Sequence, residues 1–357
     1  MSFGCPGCGA DLVYAPGTEK LNCPYCGREV TIAAQTIAIE ERDYQKFLQE
    51  ALQEREFQEV LNVKCTGCGA ETTLPANITT DACPFCGTNL IASHSQTKKI
   101  IKPEAILPFG INHDQAKQAL TRWIHGLWFA PNRLKADIEK DRLLKGMYLP
   151  YWTYDANTFS RYTGERGEHY YETEHYTVVE NGRTVRRSRQ VQKTRWYPAS
   201  GSVSVSFNDV LVPATHSLPR NFLDGLEPWD LQSLTSYQND YLAGFRTESY
   251  QLGLAEGFEE AKHIMDGRIR SAICNDIGGD VQRIHSVSTQ HSDITFKHIL
   301  LPVWVGAYRF QDKVYHFQVN ARTGKVQGSR PWSWIKITLT ILVALIVILV
   351  LLYLSNH

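Results

Sequence analysis

The sequence predicts a multidomain protein with two small cysteine-rich units joined by a helix, a mixed α+β domain with long β-hairpins, and one C-terminal transmembrane helix. Three observations predict this organisation. Two stretches with paired cysteines repeat each other near the N-terminus, amphipathic helices alternate with aromatic strands in the middle, and the chain closes on an uninterrupted apolar run. At 357 residues the chain is long enough for two or three domains.

The overall composition is that of an ordinary folded protein, with 43% hydrophobic and 21% charged residues. Lys and Arg together number 37, and Asp and Glu together also number 37, so the formal net charge is zero. This balance excludes a global attraction to nucleic acid or to an anionic surface. Any such attraction has to come from a local cluster of charge.

The N-terminal stretches contain four CxxC pairs, which account for eight of the nine cysteines. Fourteen residues separate the two pairs of each stretch, and the second stretch follows the first at an offset of 60 residues. Zinc takes four thiolate ligands in a tetrahedron, and two CxxC turns brought together by a hairpin supply them. The predicted ligands are Cys5, Cys8, Cys23 and Cys26 for one ion and Cys65, Cys68, Cys83 and Cys86 for a second.

A glycine follows every CxxC pair and allows the positive φ angle that such a turn takes. These glycines are Gly9, Gly27, Gly69 and Gly87. Each unit is too small to be held by apolar burial alone, so we expect metal binding and folding to be one event. The pattern therefore predicts two small zinc ribbons, at residues 1–31 and 63–92. Redox motifs or disulfides are the alternative, which the matched quartets and the lack of an export signal near Met1 disfavour.

The charge of the two predicted ribbons bears on what they contact. Residues 1–31 contain two basic and three acidic side chains, and residues 63–92 contain one basic and two acidic side chains. A phosphate-binding module should be basic, because counterion release supplies most of its affinity. Both ribbons are slightly acidic, which favours contact with proteins.

The segments between and after the ribbons carry weaker signals. Apolar residues recur at helical spacing over residues 40–62, which predicts one helix within a spacer at 32–62. This helix either packs on the ribbons or binds a partner. Residues 93–99 are polar and lack periodicity, which predicts a linker.

Residues 100–330 are predicted to form a mixed α/β, aromatic-rich domain. Helices are expected at His113–Trp128 and Leu252–Cys274, each followed by a similar strand, at Tyr148–Ala156 and Leu300–Tyr308. The prolines and tryptophans of the two strands align, which suggests a duplicated helix-then-strand unit.

Two hairpins are predicted inside this domain. Asn181-Gly182 fits a two-residue turn, and a second turn is expected near Asp312-Lys313. The first turn fixes a register in which several arginines face glutamates, such as Glu174 opposite Arg189. It leaves a basic edge of Arg186, Arg187 and Lys193, opposite Thr177, Tyr176 and Tyr170. Either this edge binds nucleic acid or lipid headgroups, or the charges serve the hairpin itself.

No catalytic constellation is evident in the sequence. It contains no HExxH metal motif, no GxSxG nucleophile turn and no GxxxxGK[ST] phosphate-binding loop. We therefore expect a non-enzymatic protein.

The C-terminal run at residues 335–354 contains 20 residues with a single charge, Lys336. Such a helix spans about 30 Å, the thickness of a bilayer core. Trp332 and Trp334 stand at one boundary and Tyr353 at the other, as an aromatic belt requires. Basic residues flank only the N-terminal side, which predicts a single-pass anchor in the cell (inner) membrane with the N-terminal bulk in the cytoplasm.

The two CxxC ribbons, the aromatic α/β domain ending "VNARTGKVQGSRPWSW" and the terminal anchor together resemble a bacterial family of TFIIB-type zinc-ribbon membrane proteins. Its members are often labelled primosomal protein N′ (replication factor Y), superfamily II helicase-like. Because this chain has no phosphate-binding loop, the resemblance implies no helicase activity. It does imply candidate partners, namely phage-shock-type (PspA-like) and SPFH-domain membrane-stress proteins.

The sequence thus predicts a tail-anchored, zinc-binding adaptor, with two zinc ions, that holds partner proteins at the membrane, in the context of a membrane-stress response. The alternative is a membrane-tethered nucleic-acid-binding protein in replication or transcription, using the ribbons and the arginine-rich hairpin. Steeply salt-dependent DNA binding would distinguish the second from the first.

Overall fold

The computed structural model of the chain describes its two cysteine units, its middle domain and its C-terminal helix. The described residues are 3–33, 38–49, 57–73, 80–91, 95–131, 144–180, 183–310 and 313–355. The predicted turn residues Asn181, Gly182 and Asp312 lie outside them, as does the middle of the predicted spacer helix.

The first cysteine unit, residues 3–33, is a small antiparallel sheet. Its strands are β1 (Val13–Tyr14), β2 (Lys20–Asn22) and β3 (Glu29–Thr31), in that spatial order. Leu21 of the central strand pairs with Tyr14 on one side and with Val30 on the other. The hairpin between β1 and β2 brings the two CxxC turns together, as the sequence predicts.

The spacer is not one helix. A short strand, β4 (Arg42–Asp43), leads into helix α1 (Tyr44–Gln49), and strand β5 begins at Phe57 and ends at Lys64. The prediction of a helix over 40–62 is therefore wrong at residues 42–43 and from residue 57 onward. The apolar residues of this segment fit the period of a helix and also that of a strand. Pairing with the neighbouring strand at 95–101 makes the segment a strand.

The second cysteine unit, residues 63–91, repeats the last strand pair of the first. Strands β6 (Glu71–Thr73), β7 (Thr80–Ala82) and β8 (Asn89–Ile91) follow β5. The first of these strands, β6, pairs instead with β5. The pairing of β7 with β8 reproduces that of β2 with β3 at an offset of 60 residues, since Lys20 pairs with Thr31 and Thr80 with Ile91.

The prediction of a linker at 93–99 is wrong for residues 95–99, which are the ones that the structure describes. Strand β9 (Ser95–Ile101) pairs antiparallel with β5 along its whole length, from Val63–Ser95 to Phe57–Ile101. Its polar composition is that of an edge strand with one solvated face, which the absence of an apolar period does not exclude. β5 and β9 thus lead the chain into and out of the second unit.

The first half of the middle domain consists of β10 (Ala105–Ile106), α2 (His113–Gly126), β11 (Lys145–Glu180) and β12 (Arg183–Pro213). Helix α2 begins with a capping box, in which Asn112 and Gln115 bond each other's backbone N–H groups, and ends two residues before the predicted Trp128. β11 and β12 form the predicted first hairpin.

The second half repeats this order after a short helix. Helix α3 (Arg220–Gly225) precedes the remaining elements, which are β13 (Thr235–Ser236), β14 (Arg246–Thr247), α4 (Leu254–Ile277), β15 (Val281–Phe310), β16 (Lys313–Asn320) and β17 (Val326–Gly328). Helix α4 lies two to three residues further along the chain than predicted. β15 and β16 form the second predicted hairpin.

The strand register agrees with an internal duplication. β11 and β15 are antiparallel neighbours, and the aligned residues Leu149 and Leu301 lie directly opposite each other. β10 pairs parallel with β15 at Ala105–Ile299, and β14 pairs parallel with β11 at Arg246–Met147. Each half therefore contributes the short strand just before its long helix, β10 or β14, to the long strand of the other half, about an approximate two-fold axis at the leucine pair.

The two cysteine units pack on opposite faces of this sheet. One apolar cluster joins the first unit and α2 to Tyr148, Leu300 and Trp304. Another joins the second unit to the alternate residues Leu149 and Leu301. Helix α4 covers a third cluster further along the sheet.

The chain ends in helix α5 (Trp334–Ser355), which begins where β17 leaves the sheet. Before it, the Ser333 N–H donates to the Phe129 carbonyl at 2.8 Å, and Lys336 in its first turn donates to the Ala130 carbonyl at 2.8 Å. The helix is long and apolar enough to cross a membrane, and its side chains are exposed along its length.

The β11–β12 hairpin extends from the end of the sheet opposite to the one at which the chain enters α5. Gly328 of β17 pairs with Phe317, which pairs with Gly306, so the chain reaches α5 from the end of the sheet where Lys145 lies opposite Val305. The pairing of β11 with β15 stops at the opposite end, at Gly167. We call residues 168–180 and 183–195 the distal hairpin, because they continue beyond that point.

Candidate metal centres and the distal hairpin

Each cysteine unit is built from two CxxC turns, which we call its first and second knuckles. In the first unit, the Gly9 N–H donates to the Cys5 carbonyl at 2.8 Å and the Gly27 N–H to the Cys23 carbonyl at 3.0 Å. The corresponding bonds recur in the second unit. The four glycines all have φ between 70° and 76°, as predicted from the sequence.

The knuckles bring the eight predicted cysteines together as two sets of four. In the first set, the Sγ atoms of Cys5 and Cys26 are 3.6 Å apart and those of Cys8 and Cys23 are 3.5 Å apart. All four Sγ atoms of each set lie within 4.8 Å of one another.

The second set has the same geometry. The Sγ atoms of Cys65 and Cys86 are 3.5 Å apart, and those of Cys68 and Cys83 are 3.7 Å apart. A disulfide needs about 2.05 Å between sulfurs, so these cysteines are not bonded in pairs. The edge of a sulfur tetrahedron around zinc is about 3.8 Å, given a metal–sulfur bond of about 2.3 Å. Each set can therefore hold one metal ion.

The protonation of the thiols also suits a metal centre. A hydrogen bond from the backbone N–H of Cys26 lowers the pKa of the Cys23 thiol to about 6. In the second unit, a hydrogen bond from Cys68 lowers the pKa of Cys83 to about 5, while the same bond raises the pKa of Cys68. Each set thus contains at least one thiol that is deprotonated near neutral pH, and the thiolate is the form that binds metal.

The two second knuckles differ in their surroundings. The ring of Tyr25, in the first unit, is 83% exposed. Phe85, at the equivalent position 60 residues later, is 2% exposed and packs in the cluster that contains Leu149 and Leu301. The neighbouring prolines show the same difference, since Pro24 is exposed and Pro84 is buried. Sequence reasoning missed this difference, because an aromatic residue stands at the same position in both motifs.

Polar contacts fix the second unit to the middle domain. Arg246 donates to the Ala82 carbonyl at 2.8 Å, and the Thr73 hydroxyl donates to the Thr247 carbonyl at 2.8 Å. Lys145 also donates to the Ala82 carbonyl, at 3.5 Å. The carbonyl directly before Cys83 is thereby tied to the central sheet.

A buried acid, Glu248, lies beneath the second unit and was not singled out by the sequence. Its backbone pairs with that of Thr72, and its Oε1 atom accepts hydrogen bonds from the hydroxyl of Thr215, at 2.8 Å, and from that of Ser217. Burial raises the pKa of Glu248 to about 8, so the side chain is mostly neutral at pH 7. No periodic pattern in the sequence indicates that Glu248 is buried, because the strand before it has only two residues.

A cavity of about 590 Å³ lies between β5 and the central sheet, lined in part by Tyr237, Phe245 and His298. The His298 ring contacts the Ile101 carbonyl through Nδ1 at 2.8 Å. Burial lowers the pKa of His298 to about 4, which keeps the ring neutral. This histidine therefore serves packing and backbone hydrogen bonding.

The distal hairpin has the predicted register. Glu174 lies opposite Arg189, Thr177 opposite Arg186, and Tyr176 opposite Arg187. Arg189 forms an ion pair with Glu174 at 3.2 Å. These arginines thus lie opposite the residues predicted from a two-residue turn at Asn181-Gly182.

The predicted basic edge needs one correction. Lys193 lies opposite Tyr170, but it forms an ion pair with Glu172 at 2.7 Å and lies 3.8 Å from Glu174. Its charge is compensated on the hairpin itself. A lysine side chain reaches diagonal neighbours across a strand pair, which a register of directly opposed residues does not capture.

The chain is 27% identical over 336 residues to a protein of Bacillus subtilis (strain 168) described as uncharacterized protein YdjG. The match covers 93% of this chain and 91% of that protein. No family model matches the chain, and no solved structure matches it.

Proposed function

We propose that this protein is a tail-anchored, zinc-binding adaptor that faces the cytoplasm and holds partner proteins at the inner membrane. The two sets of cysteines are zinc ribbons, with one zinc ion in each. The supporting observation is the sulfur geometry, since all four Sγ atoms of each set lie within 4.8 Å of one another and Cys₄ is a ligand set of structural zinc. Filled by four thiolates, each ion has no open position for a substrate.

The terminal helix α5 is the membrane anchor. Trp334 is exposed at its start and Tyr353 near its end, where aromatic side chains meet the membrane interface. Arg330 lies over the ring of Trp332, with its guanidinium 4.5 Å from the ring centre, and Lys336 is held by backbone carbonyls before the apolar run. Basic charge on this side keeps the bulk of the chain in the cytoplasm, where reduced cysteines also persist.

The exposed second knuckle of the first unit is the observation that supports protein binding. Tyr25 presents a large aromatic surface to solvent, and aromatic residues are enriched at protein interfaces. Lys20 in the same unit is paired with Glu29 at 2.6 Å, which leaves little free positive charge for nucleic acid. By resemblance, the partners are PspA-like or SPFH-domain membrane-stress proteins.

The test is a pull-down of the full-length chain from its native membranes in mild detergent, read by mass spectrometry after nuclease treatment. We expect wild-type protein to contain two zinc ions and to recover membrane proteins that Tyr25→Ala loses at least tenfold. Tyr197→Ala is the matched control, because Tyr197 is also exposed but lies on β12. It should leave recovery unchanged.

Two outcomes would overturn the proposal. Equal recovery by Tyr25→Ala and wild type would exclude the knuckle as the contact. A set of recovered proteins that disappears on nuclease treatment, or that consists of replication and transcription proteins, would favour the nucleic-acid alternative.

A further inference from the structure

The distal hairpin is a two-stranded element with open edges. Beyond Gly167–Val281, β11 pairs only with β12 in the described part of the chain, and β12 is the terminal strand of the sheet. Each strand of the distal hairpin has 13 residues, which corresponds to about 43 Å. Both strands therefore present a row of backbone N–H and C=O groups over that distance.

Packing within the chain does not account for a hairpin of this length. Its side chains are exposed on both faces, with Tyr171 at 66% on one face and Tyr176 at 40% on the other. A two-stranded hairpin is marginally stable in water unless a further strand or a helix joins it. Cross-strand pairs such as Arg189–Glu174 contribute only about 0.2–1 kcal/mol each.

The charges of the distal hairpin are segregated by strand. On one face, β11 carries acidic residues and β12 carries basic residues. The acidic ones are Glu168, Glu172, Glu174 and Glu180, and the basic ones are Arg183, Arg187, Arg189, Lys193 and Arg195. One edge of the hairpin is therefore acidic and the other basic, so the two edges are complementary to each other.

The opposite face carries few ionised groups. In β11 it consists of His169, Tyr171, Thr173, His175, Thr177 and Val179, and in β12 of Thr184, Arg186, Ser188, Gln190, Gln192 and Thr194. Side chains of this kind suit the surface of a β-sheet, and they would cause little charge repulsion between two hairpins that lie side by side.

We propose that distal hairpins of neighbouring copies of this chain join edge to edge, with β11 of one copy against β12 of the next. Because β11 and β12 run in opposite directions, copies that point the same way form a continuous antiparallel sheet. The acidic edge then meets the basic edge at every junction, and charge excludes the reverse pairings. The common orientation of the copies rests on the membrane anchoring proposed above, whereas the complementarity of the edges does not.

Such a contact is heterologous, so it builds rings or open rows rather than closed dimers. The hairpin extends from the end of the sheet opposite to α5, so copies anchored side by side would present it at the same height above the membrane. Membrane anchoring then raises the local concentration at which weak edges pair.

The test uses two differently tagged full-length copies expressed together, fixed in the membrane with a lysine-independent photo-crosslinker and recovered through one tag. Wild type should recover wild type. A four-residue charge exchange (Glu172→Lys, Glu174→Lys, Arg189→Glu and Lys193→Glu) preserves the ion pairs inside the hairpin and reverses the charges of both strands at these four positions only. It should recover itself as well as wild type does.

The exchanged chain and wild type should not recover each other, because like charges then face each other at the exchanged positions in the middle of every junction. We expect at least a tenfold loss of mixed recovery relative to either pure pair. Exchanging Glu259 and Lys262, an exposed ion pair on α4 at 2.7 Å, is the matched control and should leave mixed recovery unchanged.

Replacing residues 168–195 by a two-residue turn should abolish self-recovery altogether. The proposal is overturned if the exchanged and wild-type chains recover each other fully, or if the shortened chain still associates. It is also overturned if the wild-type chain stays monomeric and the exchange instead removes another protein. None of these variants alters Tyr25 or the cysteines, so a failure here is distinguishable from a failure of the adaptor proposal.

Discussion

The two cysteine units share a backbone and differ in their environment. Their last strand pair, knuckle hydrogen bonds and sulfur distances repeat at an offset of 60 residues. Yet Tyr25 of the first unit is exposed to solvent, whereas Phe85 of the second is buried in the core of the middle domain. A metal-binding motif thus fixes its own geometry and leaves its solvent-facing residues free to become either a surface or a core.

The position of each unit in the chain explains the difference. The first unit is attached to the domain on its C-terminal side, and Tyr14 anchors it through a backbone bond to Ala243 at 2.9 Å and an edge-on contact with Tyr241. The second unit is inserted between β5 and β9, so both of its ends are held by one strand pair. Four predictions follow from this contrast, in order of decreasing effect.

Matched cysteine variants should break the two units unequally. Cys8→Ser and Cys68→Ser should each lower the zinc content from two ions to one, because a ribbon of this size needs its metal. Cys68→Ser should lower the free energy of unfolding more, on the order of 5 kcal/mol, since the second knuckle is part of the core. Zinc analysis and thermal unfolding of both variants measure this, and equal shifts in melting temperature would contradict it.

The aromatic residues of the second knuckles should differ in the same direction. Phe85→Ala should cost about 3–5 kcal/mol, the range for a buried phenylalanine. Tyr25→Ala should cost no more than about 0.5 kcal/mol, as for an exposed side chain. Chemical denaturation of the two zinc-loaded variants gives both values, and a large cost for Tyr25→Ala would show that the first knuckle is covered.

The buried acid beneath the second unit predicts a pH dependence. Because the pKa of Glu248 is raised to about 8 in the folded chain, its contribution to stability is full below its unfolded pKa of about 4.5 and is lost as pH rises to about 8. The slope is at most about 1.4 kcal/mol per pH unit.

Glu248→Gln should remove that slope and should leave the opposite dependence that comes from deprotonation of the zinc ligands. The measurement compares denaturation of wild type and variant between pH 6 and pH 9. Parallel curves for the two proteins would show that Glu248 is not neutral in the folded state.

Glycine variants should affect the two cysteine units equally, because the knuckle glycines have the same backbone conformation in both. Gly27 and Gly87 have φ of 70° and 76°, and an added Cβ would meet nothing within 4 Å at either position. Gly27→Ala and Gly87→Ala should therefore each cost about 1–2 kcal/mol, from backbone strain alone. Zinc affinity measured by competition with a chelator should fall to a similar extent in both, and a loss in only one unit would show that the knuckles are not equivalent.

Sequence reasoning performed best where the cause is local. Asn181-Gly182 fixes the register of the first hairpin, because a two-residue turn sets which residues face each other, and Glu174 does lie opposite Arg189. It failed at residues 57–62 and 95–99, which form strands β5 and β9. Neither segment has a decisive period of its own, and each becomes a strand because the other supplies its hydrogen bonds.

The sequence by itself determined the features that depend on neighbours within a few residues. These are the two sets of four cysteines, the positive φ of the glycines that follow them, the hairpin register and the long apolar helix α5. Each arises from backbone geometry or from an unbroken run of one kind of side chain, which a short window contains.

Tertiary structure alone decided the rest. Which aromatic knuckle is buried, where Glu248 loses its charge, and which end of the sheet carries the distal hairpin all depend on residues that are far apart in the chain. Tyr25 and Phe85 occupy the same motif position with similar side chains. Only the surface packed against each can make one a core residue and leave the other in water, because burial is a property of the partners that a side chain meets.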